Sequence, residues 1–156
     1  MHILVPDAQS FHGGVETVTT RVIQAWTNSP DIKVSWVLPP HRLETFRSEF
    51  QDNPTLGFES FQWSRTHPRS LLLSLLKKRN SKFSQAWEFK CNAAKLQKIA
   101  RERNCSHCFY FWPMKEPFPN LNIPVFCLIC DLAWQHVPES YPSDDPNDLN
   151  DTIRKW

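Results

Sequence analysis

Glycine is scarce in this chain, with 3 in 156 residues. That excludes a glycine-rich low-complexity segment and makes the place of each glycine informative. Long apolar runs are missing too. The longest uncharged apolar stretch, residues 121–130, contains Asn122 and Pro124 and is too short to span a bilayer. No secretory leader is expected, because the first residues lack a basic cluster and Asp7 interrupts the apolar start. No internal repeat is visible. The 5 cysteines are an odd number, which fits a reducing compartment better than a disulfide framework. The expected location is therefore the cytoplasm.

What is present suits one ordinary domain. Hydrophobic residues make up 40% and charged residues 22%, enough apolar material for a core and too little charge for a disordered tail. The net charge of +2 points to no particular partner, but its distribution is uneven. Residues 65–103 hold 11 Lys/Arg against Glu88 and Glu102, a local balance of +9 that leaves −7 for the rest. Such a block suits a phosphate-bearing ligand or an anionic membrane surface. A solvated basic helix face accounts for it equally well.

Residues 2–5 (HILV) form an apolar run without polar alternation, the pattern of a parallel strand covered on both faces, and Pro6 ends it. A loop with two of the three glycines follows. Residues 15–26 predict a helix, with Val15, Val18, Val22, Ile23 and Trp26 on one face. Residues 32–38 predict a second strand, stopped by Pro39-Pro40, and residues 41–50 a second helix. Phe58, Phe61 and Trp63 fall in a third strand or loop. The leucine-rich segment 65–79 has basic ends, and residues 81–104 predict a long helix carrying Phe83, Trp87, Ala94, Leu96 and Ile99. Residues 108–112 and 124–130 predict two more buried strands. An acidic, helix-prone stretch, 143–156, follows a domain over 1–142. Strands alternating with helices predict an α/β fold: a Rossmann-like, doubly wound, mostly parallel sheet. Ligands of such sheets bind outside the carboxyl ends of the strands.

Four patterns could carry chemistry. His12, Gly13, Gly14 and Glu16 lie between the first strand and first helix, where paired glycines let a backbone approach a ligand and a helix N-terminus offers N–H groups. A phosphate or a sugar hydroxyl fits there, and so does a plain tight turn. The three spaced glycines of the dinucleotide fingerprint are absent. Cys130, Asp131 and His136 follow the last strand directly. Asp131 sits where ligand-contacting residues sit in this architecture, or caps a turn, and His136 is a ligand contact or structural. Cys105 and Cys108, then Cys127 and Cys130, match four-cysteine zinc spacing. Cys127 and Cys130, however, lie in an apolar run without turn residues, where positions three apart face opposite ways, so no metal site is expected. The basic block suits a membrane interface or a packed helix with snorkelling ends. No nucleic-acid motif accompanies it, and nucleic acid is not an expected partner.

Two of these patterns resemble one family. HILVPDAQSFHGGVETVTTRVIQAW is similar to the opening of group 1 (family 4) glycosyltransferases, a strand running into a GG-[VI]-E loop and a helix. PVFCLICDLAWQHVPESYP is similar to that family's strand, His-Asp-Leu and His-Phe-Pro-Glu-x-Phe segment. The likeness extends over nearly the whole chain, weakly between residues 40 and 105. It implies the N-terminal, acceptor-side half of a GT-B enzyme, which transfers a sugar with retention from a nucleotide-sugar donor to a glycan or lipid-linked acceptor. No cofactor or catalytic metal is implied. Candidate catalytic residues are then Asp131 and His136, and candidate ligand contacts are His12, Gly13, Gly14, Glu16 and Cys130. Two departures stand out. Cys130 replaces the family's histidine, and a thiol is a weak donor with a higher pKa. No Glu pair shows the E-x7-E spacing of the donor domain. The implied chain works with a complementary half or as an oligomer, near the inner membrane face, and is inactive alone. The alternative is a non-catalytic Rossmann-like binding module.

Overall fold

The computed structural model describes residues 1–7, 14–50, 53–62, 81–111 and 120–128. They form β1 (His2–Pro6), α1 (Gly14–Thr27), β2 (Lys33–Leu38), α2 (Pro40–Glu49), β3 (Leu56–Ser60), α3 (Ser81–Glu102), β4 (His107–Phe111) and β5 (Val125–Leu128). The strands make one sheet in the order β3-β2-β1-β4-β5, with every pairing parallel. This is a Rossmann-like α/β fold, as the alternation predicts.

The two-residue period of the strands sorts their side chains onto two faces. Ile3, Val5, Val34, Trp36, Leu38 and Phe111 pack with Ile23 of α1 and Phe46 of α2. Leu4, Val37, Cys108 and Tyr110 pack with Leu96 and Ala100 of α3. Helices therefore cover both faces, which is why β1 reads as an unbroken apolar run. Trp26 of α1 meets Phe109 edge-on at 5.1 Å and joins this helix to β4. Pro39 and Pro40 end β2 and also start α2, because a proline at the first helical position loses no needed N–H.

Three expectations about burial are corrected. Val18 of α1 is exposed, while Thr19, Ile23 and Thr27 are buried. The buried ridge runs at i, i+4 and i+8, and threonine joins it because Thr27 Oγ1 donates to the Ile23 carbonyl at 2.9 Å. On α3 Ala93 is buried, and Ala94 faces solvent. The strand β5 is only partly buried, and Phe126 is half exposed. Among the described residues β5 ends the sheet, so it lacks the second neighbour that an inner strand has.

One contact at the amino edge of the sheet carries a pH dependence. His2 Nε2 lies 2.9 Å from Ser35 Oγ. Burial holds the His2 pKa below its ordinary value; Lys33, Arg103 and the N-terminus push the same way, and a hydrogen bond with the Arg103 backbone opposes them. The folded chain thus favours neutral His2. Its contribution to stability is complete above the unfolded value near 6.5 and falls away as pH drops through the lower folded value. In urea unfolding from pH 7.5 downward, His2→Gln is expected to lose less stability than the parent below about 6.5. Parallel pH profiles for the two proteins would refute this.

Candidate functional site

The switch point of this sheet lies between β1 and β4. The helix after β1 covers one face and the helix before β4 covers the other, and in sheets of this kind the ligand crevice lies outside the two carboxyl ends at that point. Pro6 limits the pairing there. Successive N–H groups of a strand point to alternate neighbours. Asp7 N–H bonds Val37 O of β2 at 2.8 Å, so the donor at position 6 would face β4. Proline has none. Accordingly β1 pairs with β2 from His2 through Pro6, but with β4 only through Ile3 and Leu4.

Directly beyond Pro6 lies Asp7, 3% exposed. Its Oδ2 accepts from Arg42 Nη1 at 2.9 Å. Arg42 Nη2 pairs with Glu16 Oε1 at 3.0 Å. One guanidinium therefore joins three elements: the end of β1, the first turn of α1 and the first turn of α2. Arginine suits this place because its planar fork presents two donors in fixed directions. The Arg42 guanidinium also stands 4.7 Å from the Phe46 ring centre, one turn along the same helix. Phe46 in turn packs on Trp36 of β2 at 4.4 Å. The cluster rests on the aromatic core beneath it.

Of the residues expected at the site, Gly14 opens α1 and Glu16 lies in its first turn. His12 and Gly13 lie outside the described residues, in the link between Asp7 and Gly14. Cys130, Asp131 and His136 also lie outside them. The strand that precedes these three, β5, ends at Leu128 on the same carboxyl edge of the sheet. Asp7 and Arg42 were not among the expected site residues. The available signal was an acid directly after a strand-ending proline, and an arginine two residues after a Pro-Pro helix start.

The cysteine pattern resolves differently. Cys105 and Cys108 are buried, and Cys127 packs against the same cluster under α3. Burial raises the thiol pKa of all three, so each stays protonated at neutral pH. Zinc binding and nucleophilic attack both need thiolate. These three side chains act as small core residues. Cys130 lies outside the described residues. Among the described residues, no group of three His, Cys, Asp or Glu side chains is placed to hold a metal.

The basic block divides in two. Residues 65–79 lie outside the described part. On α3 and its end, Lys90, Lys95, Lys98, Arg101 and Arg103 are exposed. Lys95 Nζ donates to Gln62 O at 3.2 Å, Lys98 pairs with Glu102, and Arg103 pairs with Glu59. Part of the positive charge is thus engaged within the fold. Among the described residues, no helix is long and apolar enough to cross a membrane. No protein-family model matches the chain, and no curated protein matches it.

Proposed function

We propose that this chain is the N-terminal, acceptor-side domain of a retaining glycosyltransferase of the GT-B type, acting on a nucleotide-sugar donor and a glycan or lipid-linked acceptor. The observation that carries the reading is the placement of Gly14 and Glu16 at the β1–α1 end of a parallel 3-2-1-4-5 sheet, beside its switch point. The resemblance of the Gly13-Gly14-Val15-Glu16 and Asp131-Leu132 segments supplies the chemistry. In this reading Gly13 and Gly14 bring backbone amides to the donor, and Asp131 and His136 face the acceptor. Donor-side groups belong to a second domain, since the chain has no E-x7-E pair. Sugar transfer needs both substrates and the groups that stabilise charge in one closed cleft. The 156-residue chain alone is expected to turn over no nucleotide sugar.

The test is a titration of the isotopically labelled chain with UDP-glucose and GDP-mannose, followed by amide resonances. Selective shifts at Gly13 and Gly14 are expected with at least one of them. Saturating concentrations of both that leave these amides unmoved would refute the donor contact, and turnover by the chain alone would refute the two-domain requirement. A second reading is favoured by Cys130, which stands where the resembling family has histidine. There the same crevice binds a saccharide or phosphate compound without transferring it, and the basic segment 65–103 docks on an anionic membrane.

A further inference from the structure

We propose that Arg42 is the positioning residue of the β1–α1 turn. Its guanidinium fixes the first turn of α1 relative to the end of β1, and so sets where the N-terminus of that helix stands at the crevice. Among the described side chains of α1, Thr19, Ile23 and Thr27 are buried and Trp26 is partly buried against the core. Before them, Thr17 and Val18 are exposed and Glu16 is partly exposed. Apolar burial therefore anchors the later turns, and a polar contact from another element ties down the first. That contact is the Arg42–Glu16 pair at 3.0 Å.

Arg42 can act as a fixed point because its own place is determined three times. Its side chain is 11% exposed, Asp7 binds one arm of the fork, and the Phe46 ring lies against its plane. Asp7 is in turn tied to β2 through its own N–H. The chain between Asp7 and Gly14 includes His12 and Gly13, and Arg42 links Asp7, just before it, to Glu16, two residues past Gly14. A lysine could neutralise Asp7 or Glu16, but a single ammonium cannot span both with the same directed fork. Under the proposed glycosyltransferase reading, on which its functional meaning rests, this contact presents the helix N-terminus to the donor. Arg42 itself touches neither substrate.

The experiment compares the parent with Arg42→Lys and Glu16→Gln by amide hydrogen exchange and by UDP-glucose titration. Val18 and Thr19 report on the first hydrogen-bonded turn of α1, and Leu4 and Val37 report on the whole sheet. Exchange at Val18 and Thr19 is expected to rise about two- to fivefold in both variants, beyond any change at Leu4 and Val37. A uniform rise at all four would show general loosening and overturn the proposal, as would no rise at Val18 and Thr19. Glu16→Gln, which leaves the Asp7 contact in place, keeps the test valid if Arg42→Lys fails to fold. The exchange result needs no ligand. If exchange rises selectively while UDP-glucose moves no amide even in the parent, the positioning role stands and the donor reading fails. If the parent binds UDP-glucose, both variants are expected to weaken it severalfold.

Discussion

Arg42→Ala is expected to destabilise the chain by about 3–5 kcal/mol in urea unfolding at neutral pH. The size follows from what is left behind. The Asp7 side chain is 4% exposed, and its Oδ2 accepts from Arg42 at 2.9 Å. Without the guanidinium a carboxylate remains in a place that water barely reaches, and the loss is dominated by that stranded charge. A domain of this size has about 5–15 kcal/mol in total, so such a loss is a large fraction of it. The two arms of Arg42 are unequal. Glu16 is 37% exposed on its side chain, so water and salt screen its pairing, and Glu16→Ala is expected to cost only about 0–1 kcal/mol. The mechanism has its own signature. In the Arg42→Ala background, Asp7→Asn removes the stranded charge and should restore part of the lost stability. An Arg42→Ala protein within about 1 kcal/mol of the parent would refute the account, because a buried ion pair cannot lose one member so cheaply.

The sequence makes the frame of this molecule legible because periodicity is a local property. Residues 2–5 have the continuous apolar character of a strand enclosed on both faces, residues 32–38 alternate, and both segments hold strands. Pro39-Pro40 marks a strand end and a helix start within two residues. The amphipathic pattern of α1 predicts the helix but not which ridge it buries. Val18 and Thr19 differ by 100° around the axis, and the choice depends on where β1, β2 and β4 lie beneath. Thr27 fits on the buried side because its hydroxyl bonds the Ile23 carbonyl within its own helix. The segment at β5 has an apolar composition that implies full burial, but its position at the sheet edge decides otherwise.

The site was legible only in part, for a similar reason. Gly14 and Glu16 stand out because strand, glycine and helix are neighbours in sequence. Asp7 and Arg42 are 35 residues apart and meet only because β2 lies beside β1 and α2 begins at the same edge. No spacing rule connects them. Topology brings together what periodicity cannot, and the carboxyl edge of a parallel sheet is where it does so most. The cysteines show the opposite case: their spacing suggests a site, while their burial in the cluster under α3 makes the described ones core residues.

Phe46→Ala is expected to cost about 3–5 kcal/mol, the range for emptying a buried aromatic position. Phe46 is 3% exposed and packs 4.4 Å from Trp36, so its removal leaves a void against β2. The more telling comparison separates packing from placement. Phe46→Leu keeps much of the apolar volume but removes the ring beneath the Arg42 guanidinium, which stands 4.7 Å from its centre. A desolvated cation–ring contact of this kind contributes about 0.5–2 kcal/mol. A double-mutant cycle between Phe46→Leu and Arg42→Ala isolates it, and a coupling in that range is expected. Additivity within about 0.3 kcal/mol would mean that the ring only fills space and adds nothing to the polar contacts that hold the guanidinium. A measured coupling has a wider consequence. It would join Trp36 in the centre of the sheet, through Phe46 and Arg42, to the first turn of α1. Core substitutions more than one residue removed from the crevice would then shift the helix N-terminus that faces it. A rise in Val18 and Thr19 exchange in Phe46→Leu, without a matching rise at Leu4, would trace that path directly.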